Sequence, residues 1–163
     1  MHTVPCLLVG ENYLTESLAI IEYLDEAYPE NPFLPKDLFQ RAKAREIANI
    51  VADDIQPLQN LRVLLKIEKD FGANRGEWAK YWVQNGFTAL EKILSKSAGK
   101  YSVGDQITMA DILIIPQANI ARDRLALKNE DFPTIFRITE NASKLNAFIK
   151  AEPNNQPDAP NKL

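Results

Sequence analysis

From Asp37 onward, apolar residues recur at helical spacing: Ile47, Val51, Ile55, Leu58, Leu61 and Leu65 form one stripe. Pro57 lies inside that stripe. Proline has no N–H to donate and clashes with the preceding turn, so the long helix should bend or split there. Gly72 to Gly76 interrupts the pattern. A second helix is predicted from about Glu77 to Ser97, with Trp78, Trp82, Ala89 and Ile93 turned inward and Gly99 as its stop. These two helices are expected to pair antiparallel. The stretch from Tyr101 to Gln117 reads as a buried helix, because Ile112, Leu113, Ile114 and Ile115 put bulk on every side of a turn and require neighbours all round. Thr108 and Asp111 form a capping box at its start, with Ile107 and Ile112 placed as a hydrophobic staple. Thr108→Ala should cost roughly 0.5 to 2 kcal/mol.

The N-terminal pattern differs. Val4 to Val9 is a short apolar run, followed by Gly10-Glu11-Asn12 and then Tyr13-Leu14, which predicts two strands joined by a tight turn. Pro5 cannot donate to a ladder, so either the first strand starts late or Pro5 sits in a special turn. Such a ribbon is marginal alone and needs a cover. Thr15 to Tyr28 supplies a helical pattern through Leu18, Ile21, Leu24 and Tyr28, with Thr15 or Ser17 as cap. Pro29, Pro32 and Pro35 then mark a stiff linker. Near the other end, Asn129 to Pro133 is a loop and helix restart. Ile135, Phe136, Leu145, Phe148 and Ile149 provide the last apolar contacts, and the polar run from Pro153 predicts an extended tail. The expected organisation is a partial α/β segment over residues 1–28, a linker over 29–36, an all-helical domain over 37–152 and a tail over 153–163.

Composition narrows the chemistry. The chain has 163 residues, 45% of them hydrophobic, enough for an ordinary core. It has no run long enough to span a membrane and no signal-peptide pattern, so a cytoplasmic, membrane-free protein is expected. Its single cysteine, Cys6, rules out an internal disulfide and reads as a small buried residue of a strand; its single histidine, His2, sits at a terminus expected to be mobile. No metal site is predicted. With a net charge of −3 and its basic residues scattered, the chain offers no stripe for nucleic acid. Trp78, Tyr81 and Trp82 read as core or interface aromatics.

Several motifs taken together are more specific. Val4-Pro5, Thr15-Glu16-Ser17-Leu18-Ala19-Ile20-Ile21-Glu22-Tyr23-Leu24, Ile55-Gln56-Pro57-Leu58-Gln59-Asn60-Leu61, Val103-Gly104-Asp105 with Thr108-Met109-Ala110-Asp111, and Asn155-Gln156-Pro157-Asp158 occur in one order along the chain. This series resembles the zeta-class glutathione transferases, which include maleylacetoacetate isomerase. The resemblance implies a thioredoxin-like N-terminal domain, here only its second half, before an all-helical domain. It also implies glutathione as co-substrate, a small acidic or electrophilic substrate, and a homodimer. The activity implied is glutathione-dependent cis-trans isomerisation of maleylacetoacetate to fumarylacetoacetate in tyrosine and phenylalanine catabolism, with glutathione transferase activity beside it.

The resemblance implies that the peptide of Val4, before a cis Pro5, pairs with the cysteinyl part of glutathione. Glu16 and Ser17 would hold its γ-glutamyl group; a helix N-terminus suits the carboxylate and a neighbouring acid suits the ammonium group. Without the family pattern, Ser17 reads as a cap and Glu16 as an exposed acid. Gln56, Asn60, Leu61 and Arg62 match cleft-lining positions, although Gln56 and Asn60 could equally serve the backbone beside Pro57. Arg122 and Arg124 compete to bind the substrate carboxylate. The family's thiol-activating serine and cysteine motif has no counterpart, so no catalytic residue is assigned and negligible isomerase activity is expected of residues 1–163 alone. The alternative is a non-catalytic module of the same fold that dimerises or binds ligands.

Overall fold

The structure, a computed structural model, describes residues 4–159. His2 and the last residues of the predicted tail lie outside them. The architecture is mostly α, as expected: a two-stranded hairpin leads into eight α-helices and one π-helical segment among the described residues.

Helix α6 (Met109–Leu125) is the pivot, with α2 (Leu38–Asn49), α5 (Arg75–Ser97) and α7 (Pro133–Ala142) packed against it. It buries Met109, Ala110, Leu113, Ile114, Ala118 and Ala121. Its limits differ from the expected helix over Tyr101–Gln117. Tyr101 to Ile107 form an irregular, partly buried approach, because the capping box at Thr108 fixes the start, and the helix runs on to a left-handed end at Ala126 (φ 52°). Ile107 packs against a small cluster of Tyr101, Ile115 and Ala142, whereas Ile112 packs against the main core.

The predicted long helix is split, and the split lies three residues beyond Pro57. Asp37 caps α2, accepting from the Gln40 amide at 2.9 Å. The chain then widens into a π-helical segment, Ile50–Ile55, in which the Gln56 N–H reaches back to the Val51 carbonyl. This wider turn makes room for the proline ring, which would otherwise meet the carbonyl four residues back. A short α3 (Gln56–Gln59) follows, Asn60 turns extended (ψ 135°), and α4 (Leu61–Phe71) sets off anew. The apolar stripe therefore ends early. Ile47, Val51 and Ile55 are fully buried, but Leu61 and Leu65 remain 63% and 46% exposed.

In α5 the inward face is Ala79, Val83, Leu90 and Leu94, each one position beyond a predicted residue, together with Phe87. Ala89 is exposed, while Trp78, Trp82 and Ile93 flank the core half-buried. An indole needs a partner for its N–H, and Trp78 finds one in the Leu58 carbonyl at 3.0 Å. Gly99 does not end α5 in a left-handed turn. A Cβ there would lie 2.4 Å from the Asp105 carboxylate and 2.8 Å from the Gly104 carbonyl oxygen, so its role is close approach.

Strands β1 (Cys6–Val9) and β2 (Asn12–Thr15) pair antiparallel, with Val9 opposite Asn12 across Gly10 (φ 60°). Both expectations for Pro5 hold: the Val4–Pro5 peptide is cis, and the strand starts after it. Cys6 is exposed rather than buried. It lies on the uncovered face of a two-stranded ribbon, where alternate positions point to solvent. Helix α1 (Ser17–Ala27) rests Leu18 and Ile21 on the main core, and Tyr28 stays exposed. Neither Thr15 nor Ser17 caps it; the N-cap position is Glu16, with no side-chain bond.

The proline-rich stretch after α1 is irregular, yet it is built into the helical core rather than lying free as a spacer. Leu34 is buried, the Phe33 carbonyl accepts from the Met109 amide at 3.0 Å, and the Phe33 N–H donates to Asp25. The described part of the predicted tail, residues 153–159, is likewise folded back instead of extended. After α8 (Asn146–Ala151), Gln156 donates to the Lys150 and Glu152 carbonyls at 2.7 and 3.0 Å, and Ala159 is buried. Of the last predicted apolar contacts, Ile135 and Phe136 are buried and Leu145 and Phe148 half-buried, but Ile149 faces out.

Candidate functional site

The first group of candidate residues lies where β2 passes into α1. Glu16 holds φ 72° and ψ 120°, a backbone region that a side chain with a Cβ adopts only at a cost of roughly 1 to 3 kcal/mol. That conformation places Ser17 as the first residue of α1 without a side chain closing the helix end. An uncapped N-terminus presents backbone N–H donors and the positive end of the helix dipole. Glu16 is exposed and Ser17 half-buried, so a carboxylate and a hydroxyl flank those donors. Val4 is 93% exposed, which leaves its backbone beside Pro5 open to a ligand. The pieces are thus an anion-favouring helix end, an acid for a cation, and an exposed peptide before a cis proline.

This region is anchored to the helical body. Glu22 of α1 accepts from Arg45 of α2 at 2.6 Å, and that hydrogen-bonded carboxylate holds the guanidinium above its usual range against a smaller loss from burial.

The second group lies around α3. Asn60 is the N-cap of α4 and accepts from the Arg62 amide at 3.1 Å, so its side-chain oxygen serves the backbone. Gln56 is half-buried; Leu61 and Arg62 are exposed on the first turn of α4. Gln59 donates to Gln117 of α6, which joins α3 to the central helix. Gln117 is a buried polar residue that sequence reasoning missed; its Oε1 accepts from Gln59, while its Nε2 is buried without a hydrogen-bond partner among the described residues. The available signal was a glutamine directly after an all-apolar buried run, where an unpaired amide is costly.

At the end of α6 the two arginines separate. Arg122 is held by Asp123 at 2.9 Å and Asn119 at 3.1 Å, whereas Arg124 is exposed and forms no ion pair among the described residues. No hydrogen bond or ion pair among the described residues joins Val4, Glu16 or Ser17 to the α3 group or to these arginines.

The cap at Thr108 and Asp111 is structural. Asp111 is wholly buried, accepting from the Ser102 amide at 2.8 Å, the Thr108 amide at 2.8 Å and the Thr108 hydroxyl at 3.0 Å. Burial pushes its pKa up from the usual carboxylate range, and these bonds only partly counter the push. A comparable device was not anticipated at α7, where Glu91 of α5 accepts from the Thr134 and Ile135 amides at 2.7 and 3.1 Å. Glu91 sits 42 positions before its helix in the sequence, beyond any local capping pattern.

Among the described residues no group of histidine, cysteine, aspartate or glutamate is arranged to hold a metal, and no helix is long and apolar enough to cross a membrane.

Comparison with known proteins gives a consistent picture. Residues 63–153 match the family described as "Glutathione S-transferase, C-terminal domain", and residues 1–32 match "Glutathione S-transferase, N-terminal domain". The chain is 46% identical over its full length to "Probable maleylacetoacetate isomerase 2" of Drosophila melanogaster, spanning 70% of that protein. Among solved structures it is similar to maleylacetoacetate isomerase from Anaeromyxobacter dehalogenans 2CP-1 with bound GSH in the active site. The TM-score is 0.92 at 38% identity, over 98% of this chain and 76% of that one. A maleyl pyruvate isomerase, described as a bacterial glutathione-S-transferase in Zeta class, aligns with a TM-score of 0.91 at 38% identity over 96% of this chain and 76% of that one.

Proposed function

The chain belongs to the zeta-class glutathione transferases, the family of maleylacetoacetate isomerase, and from this premise we propose that it carries part of a glutathione site for the isomerisation of a small unsaturated diacid. The observation that carries the reading is the junction at Glu16. A costly backbone conformation there sets Ser17 at the head of an uncapped helix, which is what holding a carboxylate with backbone donors requires. The γ-glutamyl carboxylate of glutathione lies on the Ser17 hydroxyl and the first amides of α1, its ammonium group lies near Glu16, and its peptide pairs with the backbone of Val4. Residues 1–28 form the glutathione half of the molecule and residues 37–152 the helical half.

Gln56, Asn60, Leu61 and Arg62 line the cleft side of α3 and α4. Arg124 receives the substrate carboxylate, since Arg122 is already occupied by Asp123 and Asn119. In this chemistry the glutathione thiolate adds to the cis double bond, the single bond thereby created rotates, and elimination returns glutathione with a trans product. No residue of this chain is assigned to activating the thiol. The setting we propose is cytosolic breakdown of aromatic amino acids.

Calorimetric titration of the chain with glutathione tests the reading. We expect saturable binding that Ser17→Ala abolishes or weakens by at least about tenfold, the loss of a charge-assisted bond. A folded chain that takes up no glutathione would overturn it.

One set of observations favours a second reading, a non-catalytic module that self-associates. Helix α4 has a strongly one-sided apolar face yet buries no residue, with Leu61, Leu65 and Phe71 exposed. Apolar surface of this kind marks contact sites.

A further inference from the structure

The face of α1 that meets the helical body is built from Leu18, Ile21, Glu22 and Asp25, spaced so that all four share one side of the helix. Its first half is apolar and its second half acidic. Leu18 and Ile21 lie against the main core, and contact of that kind resists separation without fixing an angle. The two carboxylates do fix one, since a hydrogen bond weakens steeply as it bends. Glu22 accepts from Arg45 Nε at 2.6 Å, and the buried Asp25 accepts from the Phe33 amide. Asp25 and Glu26 act on Arg45 as well, so one cation of α2 attracts three acids of α1.

Among the described residues the other end of α1 has no such tie. Glu16, at the N-cap position, makes no side-chain bond, and the hairpin before it leaves Leu8 and Tyr13 exposed. Ser17 stands five residues before Glu22, about 7 Å along the helix axis, so a tilt of roughly 10° at the acidic end moves the first amides of α1 by about 1 Å. Donors that grip a carboxylate lose much of their strength over such a displacement. The side chains of Arg45 and Glu22 remain 41% and 37% exposed, and an ion pair this open adds little to global stability. Its consequence is angular.

We propose that Glu22 and Arg45 are positioning residues for glutathione, holding α1 at the tilt that aims its first amides and the Ser17 hydroxyl at the γ-glutamyl carboxylate. The proposal rests on the reading of α1 as the glutathione-binding helix. It makes affinity for that carboxylate depend on two residues that do not touch it.

The test compares glutathione with 4-aminobutyryl-cysteinyl-glycine, a tripeptide that keeps the ammonium group and the thiol but lacks the γ-glutamyl carboxylate. In calorimetric titration of the whole chain, glutathione should bind about tenfold more tightly than this analogue. Arg45→Met keeps the apolar stem and removes the charge. It should weaken glutathione by about three- to fivefold, leave the analogue unchanged and barely move the melting temperature. Glu22→Leu should do the same, and the double variant should lose no more than either single one. Arg45→Lys, which can still pair with Glu22, should recover most of the preference. A wild type that takes up neither peptide, or both equally, would overturn the reading of α1 and this proposal together. A preference that survives in Arg45→Met, a loss shared equally by the two peptides, or a large fall in melting temperature would overturn the positioning role alone.

Discussion

Asp111 shows how one buried carboxylate can specify a structure while contributing less stability at neutral pH than at acid pH. It closes the cap of α6 and holds the Ser102 backbone, yet it does so with a charge placed out of reach of water. Its folded-state pKa is raised, so the folded chain binds the proton more tightly than the unfolded chain. The contribution of this group is therefore full below the ordinary carboxylate pKa and is lost as pH rises through the raised value. Urea unfolding of the wild type and of Asp111→Asn between about pH 4 and 7 should show the wild-type advantage shrinking toward neutrality; an advantage that grows with pH would contradict the raised pKa. Thr108→Ala removes the hydroxyl from the same network, and the expected loss of about 0.5 to 2 kcal/mol is readable in the same experiment.

At the level of elements, Pro57 and Gly86 shape the same junction. Ile55, the last residue of the π-helical turn before Pro57, is fully buried against Gly86 in the middle of α5. A Cβ at Gly86 would fall 2.3 Å from Ile55 Cγ1. Gly86→Ala should therefore destabilise the chain by about 1 to 3 kcal/mol despite the better helix propensity of alanine. Ile55→Ala should recover part of that loss in the double variant, a coupling that thermal or urea unfolding of the four proteins would measure. Helix α7 depends on another element in a different way. Glu91→Ala would leave the Thr134 and Ile135 amides without their acceptor, at about 1 to 3 kcal/mol. Amide exchange at the start of α7 should rise with it, and unchanged exchange there would show that the cap does little.

Across the whole molecule, apolar surface is unevenly placed. The core around α6 is closed, while α4 and the hairpin leave Leu8, Tyr13, Leu61, Leu65 and Phe71 exposed. If the self-associating reading is right, sedimentation equilibrium at micromolar concentrations should give a mass above that of one chain, and Leu65→Glu with Phe71→Glu should return it toward the monomer. A wild type that is monomeric throughout would leave α4 without the partner that reading needs.

The sequence determined those features set by local chemistry: the capping box at Thr108, the restart at Pro133, the late first strand behind Pro5 and the tight turn at Gly10. Each depends on neighbours within about one helical turn or one hairpin, where side-chain and backbone preferences act directly. The ordered series of motifs likewise identified the family. Tertiary structure decided the rest. It shifted the inward face of α5 by one position, gave the half-buried Trp78 the Leu58 carbonyl as partner, and split the long helix at Asn60 rather than at Pro57. It also drew the proline-rich stretch into the core through Leu34, supplied α7 with a cap from α5, and left Arg124 without a partner while Arg122 found two. These outcomes depend on which groups meet across the fold, and a buried donor or acceptor takes whatever partner the packing brings to it.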